Sequence, residues 1–224
     1  MQPYFLPYIG YFQLMNAVDI FVFYDDVTFI KQGWINRNRI LLHGKDFLFT
    51  LELKGASSFK KINTIEVGNK RSKLLKTFRI AYKKAPFFNN IEPLLCSIFE
   101  STQCNLSQYI IDSHKLITNY LEINTKFLTS SETEKNNLLK GKDKVLELCA
   151  NLGANSYINS SGGRGLYSKV DFAKANIKLS FLRSQNIGYK QFTNDFIPGL
   201  SIIDVMMFNS VETIREMLNW YELV

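Results

Sequence analysis

Apolar residues recur at Ile9, Phe12, Met15 and Val18, the spacing of one face of a helix, and predict a helix over 8–18. Asp19 then opens the β-prone run 20–24, which reads as a buried strand and stops abruptly at Asp25-Asp26. A helix leading at once into a buried strand is half of a βαβ unit, so a further strand is expected ahead of Pro3. Positions 35–42 and 47–53 flank a short turn with Gly44 and predict a hairpin. In its second arm Phe47, Phe49, Leu51 and Leu53 share one face, which is expected to be buried. A third strand is expected over 62–67, making 35–67 a largely antiparallel, β-rich insertion.

From Lys70 the period changes to that of helices, predicted over 70–84, 90–99 and 105–121, so that 70–121 is a helical segment and a candidate subdomain. Pro93 is tolerable only in the first turn of its helix. A short strand over 126–128, a polar loop over 130–141 and a helix over 142–152 stopped by Gly153 follow. Strands over 156–158 and 177–182 bracket a glycine-rich turn and a helix over 169–176, and two tandem helices, 201–209 and 211–220, end the chain. This alternation predicts an α/β fold: one layered, Rossmann-like mixed sheet with an antiparallel hairpin insertion and a helical C-terminal part, in a single unit over 1–224.

At 224 residues and 46% hydrophobic content there is ample material for a core, with 18 Phe and 11 Tyr to pack it. The three cysteines are scattered and the two histidines, His43 and His114, stand alone, so neither a zinc site nor a disulfide framework is expected. Reduced thiols point to the cytoplasm. No apolar run reaches spanning length and the start has no signal-peptide pattern, so no membrane partner is expected. The formal charge of +7 is spread along the chain without a reading motif, which disfavours nucleic acid and leaves attraction of a phosphorylated small substrate, or solubility alone.

Five polar segments are candidates for chemistry, and each also has a plain structural reading. The loop from Gln2 and Tyr4 to Gly10, held extended by Pro3 and Pro7, leads into a helix N-terminus that can meet an anion or can merely pack the helix. Asp25 follows the carboxyl end of a strand, where α/β proteins bind ligands, and is the candidate proton acceptor; as an alternative it caps the next turn. Asn36 and Arg37 suit sugar hydroxyls and phosphate, or an edge strand. Ser160 to Gly165, with Gly162, Gly163 and Arg164, can offer backbone N–H groups to phosphate but matches neither a Walker A nor a GxGxxG pattern. Ser201, Asp204 and Asn209 belong to a helix start in which Ser201 and Asp204 also fit an N-cap with a capping-box partner. All five are expected to open on one cleft.

The opening Q-P-Y-F-L-P-Y-I-G-Y-F, Asp19-Ile20-Phe21-Val22 with its D-D-V, the N-R-N at 36–38 and the closing L-S-I-I-D-x-x-x-x-N occur in that order along essentially the whole chain. With them the sequence resembles the WbqC-like protein family, which is associated with gene clusters for O-antigen and related lipopolysaccharide structures. The resemblance also implies a short apolar strand ahead of Q-P. A looser likeness joins the strand–loop–helix–strand layout to nucleotidyltransferases with an H-x-G-H motif, whose two histidines this loop lacks. Two functions are therefore carried forward. The first is an enzyme that transfers an acyl or aminoacyl group to the amine of a nucleotide-linked amino sugar, with no required cofactor beyond a donor such as a CoA thioester. The second is a non-catalytic nucleotide-binding or scaffolding module of the same pathway. A homo-oligomer is open under either.

Overall fold

The computed structural model describes residues 1–192 and 195–224. Helix α1 (Ile9–Asn16) is buried from Ile9 to Met15, so it runs through the interior instead of lying on it as an amphipathic cover. Strand β1 (Ile20–Phe23) follows, with Phe21 and Phe23 buried. The hairpin is β2 (Arg37–Leu42) against β3 (Lys45–Thr50), Arg37 opposite Thr50 and Leu42 opposite Lys45. His43 and Gly44 turn it with positive φ, the left-handed backbone that short hairpin loops need. The buried face expected of its second arm forms only in part: Phe49 and Leu51 are covered, whereas Phe47 is 41% exposed because the hairpin tip overhangs the core.

The strand expected over 62–67 is a 3-10 turn, Ile62–Thr64, and then the two-residue β5 (Glu66–Val67), paired with β4 (Leu53–Lys54). Ile62 and Ile65 are both fully buried, and a spacing of three suits a tight turn where a strand would send them to opposite faces. Helices α2 (Arg71–Tyr82), α3 (Phe88–Phe99) and α4 (Leu106–Tyr120) form where the period predicts them. Because α3 starts at Phe88, Pro93 lies beyond its first turn and forgoes the bond to the Asn89 carbonyl.

The remaining elements are β6 (Lys126–Thr129), α5 (Gly141–Asn151), β7 (Ser156–Ser160), α6 (Lys169–Lys174), β8 (Lys178–Ser184), α7 (Ile202–Phe208), α8 (Val211–Met217) and β9 (Tyr221–Leu223). The chain is thus mixed α/β. Its strands fall into four small sheets: parallel β1–β6, antiparallel β2–β3 and β4–β5, and β7–β8–β9 with β7 and β8 parallel and β9 antiparallel. Among the described residues hydrogen bonds do not join these into the one layered sheet expected from the alternation. Met1 donates to the Val22 carbonyl at 2.8 Å and accepts from the Tyr24 amide at 2.7 Å, which is parallel-bridge geometry on the edge of β1 away from β6. Strand β9 is three residues long, too short to carry a periodic signal.

One large core joins α1, β1, the hairpin and helices α2, α3, α4, α7 and α8, and a smaller one gathers Val145, Cys149, Phe172, Ile177, Leu179 and Phe181. Phe5, fully buried, packs against Phe49, Phe99 and Tyr109 with ring centroids 5.5–6.2 Å apart, so the N-terminal loop is built into the core. His114 is part of it as well. Its ring stacks on Phe12 at 5.5 Å, Nδ1 donates to the Ile110 carbonyl at 2.7 Å, and Nε2 is buried without a partner among the described residues.

Burial lowers the His114 pKa to about 4, so the imidazole is neutral in the fold. The unfolded chain binds that proton more readily, so this residue's contribution to stability is whole above about pH 6.5 and is lost as pH falls toward 4. Urea denaturation of wild type should lose about 2 kcal/mol more than His114→Phe between roughly pH 7 and pH 5. Equal losses in the two proteins would show that the proton enters without opening the core.

Candidate functional site

Strands β1 and β6 run parallel and end side by side, β1 running out into Asp25-Asp26 and β6 into the 3-10 turn Ser130–Glu132. Asp25 faces that turn: Oδ1 accepts from the Ser131 amide at 3.0 Å and Oδ2 from the Ser131 hydroxyl at 2.8 Å. Asp26 points elsewhere. Its Oδ1 accepts from the Ser130 hydroxyl at 2.8 Å, and its Oδ2 meets Lys144 at 2.6 Å and Lys135 at 3.2 Å. All three charged side chains are almost wholly buried, Lys135 at 1%, Asp26 at 5% and Lys144 at 7% exposure. Lys144 lies over the Tyr24 ring at 5.0 Å, and Lys135 also donates to the carbonyls of Ser130 and Thr133. Burial pushes the Asp26 carboxyl up, yet the bonds from Lys144 and Ser130 and both ammonium charges outweigh it and hold the pKa below the ordinary value.

Beside Asp25 lies a cavity of about 240 Å³ lined by Asp25, Asn63, Asn105, Ser107, Gln108, Thr129, Ser131 and Glu132. Every lining residue is polar. Asn105 caps α4 by accepting from the Gln108 amide, so the cavity also meets a helix N-terminus. Two lining oxygens, Asn63 Oδ1 and Ser107 Oγ, are buried with no hydrogen-bond partner among the described residues, and Ser107 is only 2% exposed. An unpaired buried polar atom costs about 1–3 kcal/mol, so a molecule that pairs them gains by entering. The volume is below the roughly 300–1,000 Å³ of ligand pockets, and suits one small moiety rich in hydroxyls or amines.

Of the other residues singled out from the sequence, none lines this cavity. Gln2 accepts from Tyr4 at 3.4 Å through Oε1, and from Tyr11 at 2.7 Å through its backbone carbonyl. Asn36 donates to the Leu51 carbonyl at 2.9 Å. Arg37 is turned onto its own loop, donating to Gly33 at 2.8 Å and to Gln32, with Trp34 beneath the guanidinium. Gly162 and Gly163 belong to the 3-10 segment Ser161–Leu166, and a Cβ on Gly163 would stand 3.0 Å from the Asn159 amide nitrogen. Arg164 is exposed and makes no ion pair among the described residues.

Ser201 caps α7, its hydroxyl accepting from Ile203 N at 3.3 Å, but the expected reciprocal bond from Asp204 does not form. The Ser201 amide is taken by the Arg39 carbonyl, and Asp204 turns inward to accept from Tyr82 at 2.7 Å and from Tyr189 and Gln191 at 2.6 Å. Asn209 ends α7 by donating back to the Val205 carbonyl at 2.8 Å. The N-terminal loop, β2 and the α7 start do meet: Asn38 donates to the Leu6 carbonyl at 2.9 Å and Ile202 N to Pro7 at 2.7 Å. That junction is packed closed and lies apart from the Asp25 cavity. A second cavity of about 390 Å³ lies among Asn16, Glu122, Glu212, Arg215 and Asn219 and includes none of the expected residues.

Lys135 and Lys144 were missed in the sequence because they read as a solvated basic stretch. Ser107 and Asn63 were missed because nothing in their spacing marks them. Only Asn105, at the predicted helix start, carried a local signal. Among the described residues no three His, Cys, Asp or Glu side chains are grouped so as to hold a metal, and no helix is long and apolar enough to cross a membrane.

The model of the WbqC-like protein family matches residues 2–216. The chain is also 29% identical over 215 residues to the uncharacterized protein Rv1507c of Mycobacterium tuberculosis, covering 93% of this chain and 91% of that protein. No solved structure matches.

The ion cluster makes a testable statement about its own balance. Asp26→Asn leaves two ammonium groups buried together and should cost about 3–5 kcal/mol. Lys144→Met leaves the carboxylate still paired with Lys135 and should cost clearly less. Midpoints of urea unfolding at neutral pH check the order, and equal losses would mean that Lys135 does not hold Asp26.

Proposed function

The chain belongs to the WbqC-like protein family, and on that premise we propose that it is an enzyme of surface polysaccharide (O-antigen) assembly. In this reading it transfers an acyl or aminoacyl group to the amine of a nucleotide-linked amino sugar. The observation that carries it is the all-polar cavity beside Asp25, with two buried oxygens in want of partners at the carboxyl ends of two parallel strands. Hydroxyls of a sugar ring can donate to Asn63 Oδ1 and exchange hydrogen bonds with Ser107. An amine next to Asp25 can lose its proton to the carboxylate as it attacks the acyl carbon. The new C–N bond forms, the donor's C–S or C–O bond breaks, and the thiolate or alkoxide departs with the electron pair. Asp25 can serve as acceptor while bonded to Ser131, because an ionised carboxylate offers about four lone-pair sites and Ser131 uses two. Arg164, exposed on the glycine-rich turn and in no ion pair among the described residues, is the cation assigned to the diphosphate, which would extend beyond the cavity.

One observation favours the non-catalytic module instead: both Asp25 oxygens already serve as a cap for the turn after β6. Nucleotide-linked amino sugars offered with acyl thioesters, followed by thiol release and by calorimetric binding, separate the two. For the enzyme, Asp25→Asn should retain sugar binding and lower turnover by about 10²–10⁴-fold, the usual contribution of a general base. Arg164→Ala should weaken binding of the same nucleotide sugar by about 1.5–3 kcal/mol. Sugar binding without thiol release from any pair would leave the module as the function.

A further inference from the structure

Along the chain from the Asp25 cavity, two loops form a tip that holds several exposed apolar side chains. Thr28 and Lys61 form an antiparallel bridge, and Phe29 N donates to the Lys60 carbonyl at 2.9 Å. Beyond that bridge both segments turn, Gly33 N donating to the Ile30 carbonyl and Lys60 N to the Ser57 carbonyl, which puts Ile30 and Phe59 on the two turns. Phe29 and Ile62 are buried and anchor the tip, while Phe59 is 95% exposed, Ile30 54% and Trp34 46%. Around them stand Lys31, Lys60 and Lys61, all exposed and none in an ion pair among the described residues. Positions 27–37 and 54–64 contain five lysines and arginines and no aspartate or glutamate, so the tip carries uncompensated positive charge.

Large apolar side chains held out in water and ringed by free cations have a specific use. An interfacial segment buries the apolar groups at the level of the lipid headgroups while lysines meet anionic phosphates, and aromatic rings sit well at that depth. We propose that this tip docks the protein peripherally on an anionic lipid surface. The proposal stands apart from the reaction assigned above and revises the expectation of no membrane partner, which rested on the absence of a spanning segment.

Charge complementarity selects the occupant. The tip's cations have no acidic neighbour within their own segments, and none of these residues lines either cavity, so the patch is not a pocket for a small anion. A nucleic acid would draw on arginine forks and on rings free to stack. Here Arg37 is committed to Gly33, Gln32 and Trp34 and covers one face of that ring, so among the described residues of the tip Phe59 alone is a ring with no cation over it, where a strand of bases draws on a row of rings.

Co-sedimentation with vesicles of phosphatidylglycerol in phosphatidylcholine tests this, with pure phosphatidylcholine vesicles as control. The wild type should bind the anionic vesicles, release as salt is raised, and ignore the neutral ones. Lys60→Gln with Lys61→Gln should lower the partition coefficient about 30-fold, from roughly fivefold per lysine. Phe59→Ser should lower it about tenfold or more. All three changes are at exposed positions and should leave the melting temperature unchanged. The proposal is overturned if the protein ignores anionic vesicles, if it binds both kinds alike, or if the tip variants bind as wild type does. Displacement by a DNA oligonucleotide whose own binding needs Phe59 would overturn it too and give the patch to nucleic acid.

Discussion

The parallel pairing of β1 with β6 is the constraint on which the site depends. Four residue pairs, from Ile20 with Lys126 to Phe23 with Thr129, hold the two strands in register. A parallel pair cannot be closed by a tight turn, so the connection must leave the sheet and return to the same end of it. Here that excursion carries the hairpin and helices α2, α3 and α4. Its outcome is that both strands stop at the same level. Asp25 then meets Ser131 and Asp26 meets Ser130 across more than a hundred residues of chain. A shift of one residue in this register would take each aspartate off its serine, leaving one of them facing Thr129 or Glu132.

The sequence made legible whatever depends on near neighbours. Periodicity located α1, β1, the hairpin and α2–α4, and the left-handed φ of Gly153 after α5 bears out its reading as a helix stop. The carboxyl end of β1 was marked as a place for chemistry by its abrupt change from Phe and Tyr to two acids. What pairs with those acids was not legible. Lys144 is 118 residues from Asp26 and sits on a helix whose other lysine, Lys142, is exposed, so local spacing could not distinguish it. Spacing also misled at α7. Ser201 and Asp204 have the separation of a capping box, but once Arg39 takes the Ser201 amide, Asp204 is released to the interior.

Two of the buried aspartates, Asp26 and Asp204, show opposite solutions to one problem. Asp26 has two cations, which outweigh the cost of its burial and hold it ionised below the ordinary range. Asp204 has only neutral donors, Tyr82, Tyr189 and Gln191, and burial raises its pKa in spite of them. Its folded-state pKa therefore exceeds the unfolded one, so stability falls as pH rises from the unfolded value through the folded one. This is the reverse of His114, whose contribution is lost as pH falls. Acid thus strains the α4 core while easing the α7 junction.

The contrast separates structural from functional polarity. At the α7 junction Asp204 accepts three hydrogen bonds inside the packed interior, and the same junction uses the carbonyls of Leu6, Pro7 and Arg39, so its polar groups serve to tie three distant segments. At the β1 end Asp26 spends its charge on Lys135 and Lys144 and fixes the turn after β6, which leaves the adjacent Asp25, itself 2% exposed, lining a polar cavity. The chain from that cavity runs without a break into the cationic tip: Asn63 N donates to the Asp25 carbonyl and Ile62 N to Val27, one step before the Thr28–Lys61 bridge. The rigid ion cluster, the cavity and the tip therefore lie on consecutive stretches of one backbone ladder.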